Sequence, residues 1–280
     1  MPYVAEINRT NPSCFLILID QSASMREHME NNQAQTKAEA VADAINKLLQ
    51  NLVSKAAKSE GIRDYYEVGV VGYGGLGVKP GLGGYLAAKD IVPISLIGNN
   101  PLRVEPRTKE ITGPDGQVRQ QRFNFAVWVE PKANGGTPMV AAFEYAHRLL
   151  KKWLAAHPDC FPPIVINISD GESSDGNPQQ AAFELMKLCS SDGNALIFNL
   201  HISNASTGRI LYPDNDKLLV DEYAKLLFSF SSALTPYMRK VLADEGYTVS
   251  YGTRGFAYNA DFSTVLRFLD VGTRPSLVKL

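Results

Sequence analysis

Cys14-Phe15-Leu16-Ile17-Leu18-Ile19-Asp20-Gln21-Ser22-Ala23-Ser24 is the stretch from which the fold is read. Six apolar residues run together without polar alternation, the pattern of a strand covered on both faces in a parallel sheet. The run then gives way at once to Asp20, Ser22 and Ser24, oxygen-bearing side chains at every second position. In an open parallel sheet, ligands bind outside the carboxyl ends of strands, where the strand order reverses. Polar side chains at that place are positioned for chemistry.

Outward from this strand, strand-like and helix-like stretches alternate. Thr36 and Glu39 form a capping-box pattern, and Val41, Ile45, Leu48 and Leu52 recur at helical spacing, with Gly61 expected to close the helix. Glu67–Tyr73 reads as a second buried strand, and Gly74 to about Leu102 as a long ordered glycine-rich loop. Leu102–Ile111 and Arg119–Val129 read as arms of a hairpin around Gly113-Pro114-Asp115-Gly116. A helix is predicted from about Pro138, with Phe143, Ala146, Leu150 and Trp153 on its buried face. Ile164–Ser169 reads as another apolar strand, Pro178–Cys189 as a helix capped by Asn177, and Ala195–His201 as the next strand. Farther on, Asp216–Phe230, Thr235–Asp244 and Ala260–Leu269 read as helices, and Gly255–Tyr258 as a short extended piece.

The expected fold class is therefore α/β: a doubly wound, mostly parallel central sheet with helices on both faces. The expected organisation is a single domain with its core at residues 12–203. A β-hairpin insertion at about 76–125 and a helical C-terminal extension at about 204–280, packed on that core, complete it.

Two more segments put oxygen donors at predicted element boundaries. Gly135-Gly136-Thr137-Pro138 precedes a helix, and Asp170-Gly171-Glu172 follows the strand Ile164–Ser169. Each segment alone has a structural explanation. Asp20, Ser22 and Ser24 suit a turn, Thr137-Pro138 suits a helix start, and Asp170-Gly171 is an ordinary turn pair. Taken together and in order, they favour a shared site. Two carboxylates and three hydroxyls, with no imidazole or thiolate, are hard donors suited to Mg²⁺ or Mn²⁺ rather than zinc.

Asp-x-Ser-x-Ser, a distant Thr and a later Asp-Gly resemble the three-part metal-ion-dependent adhesion site of von Willebrand factor type A (vWA) domains, over about Pro12 to Ser203. The resemblance implies the vWA, Rossmann-like form of the sheet. It also implies that Ser22, Ser24 and Thr137 coordinate an Mg²⁺ or Mn²⁺ ion, with Asp20 and Asp170 holding it largely through water. A partner protein would complete the coordination with a Glu or Asp. Gly252-Thr253-Arg254-Gly255-Phe256, Asn259-Ala260-Asp261 and Arg267-Phe268-Leu269-Asp270-Val271-Gly272-Thr273-Arg274 are similar to the C-terminal region of bacterial tellurium-resistance-associated (TerY-like) vWA proteins. That group implies a stress or phospho-signalling setting, with a Ser/Thr kinase or a PP2C-type phosphatase as partner. The hairpin region is longer than in a minimal vWA domain, which limits the transfer of partner contacts.

Composition narrows the remaining classes. Hydrophobic residues make up 45% of the 280, enough for a sizeable core. A net charge of −1 offers no footprint for nucleic acid or an anionic membrane, and Arg103, Glu105, Arg107, Lys109 and Glu110 read as a solvated ribbon of mixed sign. Met1 to Asn11 lacks the pattern of a secretory leader. Cys14, Cys160 and Cys189 match neither a zinc pattern nor a disulfide framework. Buried reduced thiols in a cytoplasmic protein are expected.

Gly72-Tyr73-Gly74-Gly75-Leu76-Gly77 fits a dinucleotide fingerprint, but Val78-Lys79-Pro80-Gly81 follows where a helix should open. Asp170 to Gly176 departs from a calcium loop at Ser174, and Glu172 and Asp175 are expected to rim the site or face solvent. An aspartate-nucleophile phosphotransferase would want a carboxylate two residues after Asp20, where Ser22 stands, and no Gly-x-Ser-x-Gly elbow occurs. His28, His147, His157 and His201 lack ligand spacing, and surface or structural roles are expected for them. The leading expectation is a metal-dependent binding module without catalytic residues. The alternatives are an Mg²⁺-dependent phosphohydrolase using the same carboxylates, and a scaffold acting through the hairpin or tail.

Overall fold

The computed structural model describes residues 3–29, 32–112, 116–202 and 208–259. The predicted hairpin turn at Gly113-Pro114-Asp115 and the predicted helix Ala260–Leu269 lie outside them.

Strand β1 (Ser13–Gln21) is buried at every position. Phe15, Ile17 and Ile19 enter one apolar cluster, while Cys14, Leu16 and Leu18 enter a second on the opposite face. Two covered faces explain the unbroken apolar run. Helix α1 (Lys37–Ala56) opens with the predicted capping box: Glu39 N–H donates to Thr36 Oγ1 at 3.2 Å, and Thr36 N–H donates to Glu39 Oε2 at 2.8 Å. The helix ends before Gly61. Ala57–Lys58 pairs instead with Gly61–Ile62 in a small ribbon, and Gly61 takes a φ of +118° that other residues avoid.

Strand β2 (Tyr66–Gly74) follows as predicted, but Gly74–Leu102 is more than a loop. It holds strands β3 (Gly77–Pro80) and β4 (Ile91–Pro93) and helix α2 (Ile94–Asn99). Both strands run antiparallel to β2 along one edge. Pro80 and Pro93 end these strands, and an edge strand tolerates proline because one row of its N–H groups has no ladder partner. Strands β5 (Arg103–Thr112) and β6 (Val118–Val127) form a separate antiparallel ribbon, mostly exposed along β6. Arg107 ties it to α1 through Asp43 at 2.9 Å and lies 3.7 Å over the Phe125 ring.

Helix α3 (Met139–Ala156) buries Phe143, Ala146, Leu150 and Trp153, the face read from spacing. Strand β7 (Ile164–Ser169) is followed by α4 (Gln179–Met186), shorter than expected because Cys189–Ser190 pairs with Gly193–Asn194 in a second small ribbon. Strands β8 (Leu196–His201) and β9 (Ile210–Leu211), helices α5 (Glu222–Ser229) and α6 (Pro236–Asp244), and strand β10 (Phe256–Tyr258) complete the order. Helix α5 starts six residues later than its apolar pattern suggests, where Asp221 accepts from Ala224 N–H at 2.6 Å as its N-cap.

The central sheet runs β9-β10-β8-β7-β1-β2-β3, with β4 also on β2. The pairs β1–β2, β1–β7, β7–β8 and β8–β10 are parallel. Apolar residues of α1, α2 and α6 join one cluster, and those of α3, α4 and α5 join the other. Because β2 and β7 flank β1 on opposite sides, the strand order reverses there, at the sheet end that carries Asp20 and Ser169. Cys14 and Cys160 are buried, with thiols pushed up by burial, Cys160 to about 12. Cys189 is exposed, contrary to the expectation of three buried thiols, because it sits in the ribbon after α4. Among the described residues, no helix is long and apolar enough to cross a membrane.

Candidate metal centre

Asp20 is 1% exposed at the end of β1, and both of its oxygens are engaged. Oδ1 accepts from Ser22 N–H at 2.8 Å, and Oδ2 accepts from the Ser169 hydroxyl at 2.7 Å. Burial raises the Asp20 pKa, the bonds from Ser22 and Ser169 oppose that rise, and the nearby Asp170 charge adds to it. The Ser22 and Ser24 hydroxyls lie 3.0 Å apart, and Ser24 Oγ donates to Asp170 Oδ1 at 2.7 Å. A continuous chain of polar atoms therefore joins the loop after β1 to the loop after β7.

The third segment is stitched to the first through its backbone. Asn134 N–H donates to Gln21 O at 2.7 Å, Ala23 N–H donates to Gly135 O at 2.9 Å, and Arg26 Nε donates to Ala133 O at 2.8 Å. Gly75 N–H adds a bond to Asn134 O at 2.6 Å. Gly135 sits at φ +70°, and a Cβ there would overlap Gly75 Cα, so the close crossing of these loops demands glycine. The apparent dinucleotide glycines have a similar steric basis. Gly74 lies in β2, and a Cβ on it would stand 2.6 Å from Gln21 O.

Thr137 is only 7% exposed, and its hydroxyl makes no hydrogen bond among the described residues. It does not cap α3, contrary to the structural reading of Thr137-Pro138: the N-cap is Pro138, without a side-chain bond. Capping falls to Asp175, whose two oxygens accept from Val140 and Ala141 N–H at 3.0 Å each. Asp175 is exposed, as expected, and it also closes the helix end from the loop after β7. Ser174 pairs with the Thr137 backbone in both directions, accepting through Oγ at 2.8 Å and donating through N–H at 2.9 Å. With its capping duty taken over, the Thr137 hydroxyl is left available to a ligand. Glu172 accepts from the Tyr223 hydroxyl at 2.7 Å.

Sequence reasoning missed Lys37. It is the first residue of α1, and its ammonium lies 2.9 Å from Asp170 Oδ2 and 2.8 Å from Glu27 Oε2. The Lys37 side chain is 4% exposed and that of Asp170 is 1% exposed. Burial alone would lower the Lys37 pKa, but the bonds to Glu27 and Asp170 outweigh it and leave the group above its ordinary value. Ser169 was missed as well, read as part of an apolar strand. Behind the site, Tyr73 donates to Asn167 at 2.8 Å and Asn167 to Asn199 at 3.0 Å, a buried polar row across the sheet. One strand away, His201 Nε2 stands 3.3 Å from Asp221 Oδ2, and its Nδ1 is buried without a partner among the described residues.

No family model matches the chain, and no curated protein matches it. Among solved structures it is similar to proximal thread matrix protein 1 of the mussel byssus. That likeness has 16% identity and a TM-score of 0.49, over 96% of this chain and 49% of that one. It is also similar to the PilB minor pilin of Streptococcus sanguinis, at 9% identity and a TM-score of 0.39, over 94% of this chain and 60% of the pilin. The chain thus spans about half to three-fifths of the length of these two proteins.

The donor set at this edge suits a hard divalent ion. Hydrogen bonds join Asp20, Ser22, Ser24 and Asp170, the loop carrying Thr137 is bonded to the Asp20–Ser24 loop, and these five side chains offer only oxygen. Among the described residues, no three His, Cys, Asp or Glu side chains gather in a metal-sized cluster. An ion here would depend on the hydroxyls.

Proposed function

We propose that this chain is a binding module of the doubly wound, vWA-like kind, with a metal-dependent adhesion site at the carboxyl edge of its sheet. Ser22, Ser24 and Thr137 would hold Mg²⁺ or Mn²⁺ directly, and Asp20 and Asp170 would hold it through water. The observation that carries the reading is the Thr137 hydroxyl, without a partner among the described residues and set in a loop bonded to the Asp20–Ser24 loop. Order reversal beside β1 supports it, because that is where such a sheet accepts ligands.

When bound, the ion supplies Lewis acidity toward one further anionic oxygen. The chain's residues govern how much of that acidity survives. Three neutral hydroxyls take up little of the ion's charge, and Asp20 is restrained by Ser22 and Ser169. A partner protein offering a Glu or Asp carboxylate is the natural occupant. A kinase or a PP2C-type phosphatase is the first partner to test, on the strength of the sequence resemblance.

Affinity capture from native lysate in Mg²⁺, in EDTA, and with Thr137→Val in Mg²⁺ tests the proposal. A protein retained only by the wild type in Mg²⁺ is expected. The same protein retained under all three conditions would sink the adhesion-site reading and move binding to another surface.

A further inference from the structure

Lys37 is the only buried lysine or arginine among the described residues, and its position opposes it twice. Burial penalises the ammonium, and the first residue of a helix meets the positive end of the macrodipole. A neutral side chain would open α1 at less cost. The lysine is nevertheless inserted between Glu27 and Asp170, with its ammonium on the Asp170 oxygen that Ser24 leaves free.

We propose that Lys37 is a tethered counter-cation of the metal-binding edge. It compensates Asp170 when no ion is bound, and it weakens ion affinity because its charge repels a divalent cation. Asp20, Asp170 and Glu27 together would outweigh the charge of a divalent ion, and Lys37 brings the loaded edge back to neutral. A neutral edge repels an incoming acidic side chain less than the negative edge that would remain without Lys37. Glu27, whose side chain is 57% exposed, gives the ammonium a second seat when the ion alters Asp170's surroundings. The inference rests on the adhesion-site reading and assigns Lys37 a positioning and charge-setting role within it.

The test is Mn²⁺ binding, read by electron paramagnetic resonance, for wild type, Lys37→Met and Lys37→Arg, with acetate as the probe carboxylate on each loaded protein. Lys37→Met is expected to bind Mn²⁺ at least about tenfold more tightly, because a buried unit charge no longer repels the ion. It should bind acetate several-fold more weakly and melt at a lower temperature in EDTA. Lys37→Arg, which keeps the charge, should stay within about threefold of wild type for Mn²⁺. If Lys37→Met fails to fold, Lys37→Gln carries the same expectation. Equal Mn²⁺ affinity in wild type and the neutral variants would overturn this inference and leave the adhesion site standing. Mn²⁺ bound by the neutral variants alone would uphold the counter-cation but overturn ion binding by the native chain. No Mn²⁺ bound by any of the proteins would overturn both.

Discussion

Asp221 joins two elements with one carboxylate. It caps α5 through Ala224 N–H and meets the buried His201 ring at the end of β8. Burial alone would raise its pKa, but the bonds from His201, the Ala224 backbone and Tyr258 together bring it down to about 2. A carboxyl whose folded value lies below its unfolded value of about 3.9 stabilises the fold above that pH, and the contribution fades as pH falls toward about 2. Asp221→Asn keeps a capping oxygen and removes the charge, so its unfolding free energy should fall less steeply than the wild type's between pH 4 and 2. Parallel curves in denaturant titrations across that window would refute the assignment. Gly135 offers a second test at this scale. Gly135→Ala would force the Thr137 loop away from Gly75, so Mn²⁺ affinity should drop about tenfold or more with little change in far-ultraviolet circular dichroism. Unchanged affinity would mean that the crossing does not position Thr137.

Among the elements, α3 shows how a site and a helix end can share residues. Its N-terminus is capped from outside by Asp175, in the loop that follows β7, so the loops carrying Asp170 and Thr137 are held in one piece. Asp175→Ala should cost about 1 kcal/mol, as lost caps generally do, and should also weaken Mn²⁺ binding; Glu184→Ala, on the exposed face of α4, serves as the control. Loss of stability without loss of Mn²⁺ would separate the cap from the site. This sharing also explains what could be read in advance. α1 and α3 were legible because each buries one face at helical spacing, and β1, β2, β7 and β8 because they are short, largely apolar runs covered on both faces. The three donor segments were legible because they stand at the ends of those elements. Lys37 was hidden because a lysine opening a helix reads as an exposed charge, and its burial depends on Asp170, 133 residues away. Asp175 was hidden for a similar reason, since a cap supplied from 35 residues away leaves no local pattern. Strands β3 and β4 escaped notice because four- and three-residue edge strands bounded by glycine and proline carry too little periodicity.

On the scale of the whole molecule, the sheet separates two apolar clusters and leaves its polar chemistry at one edge. An ion bound there favours only the folded chain. At free Mg²⁺ one hundred times its Kd it should add about 2.7 kcal/mol, a rise in Tm of roughly 5 °C for a chain of this size. Calorimetry in Mg²⁺ and in EDTA would measure it, and coincident melts would argue against an ion at this edge. The span of the Ser24–Asp170 bond has a further consequence, in time rather than energy. The two residues are 146 positions apart, so at about 5–20 residues per second the ribosome releases Ser24 roughly 7–30 s before Asp170. Until the end of that interval the Asp20–Ser24 loop lacks the two partners, Ser169 and Asp170, that tie its side chains to β7. A nascent chain halted before β7 should therefore be blind to divalent ions, and sensitivity to them should arrive late, as the mark of a finished molecule.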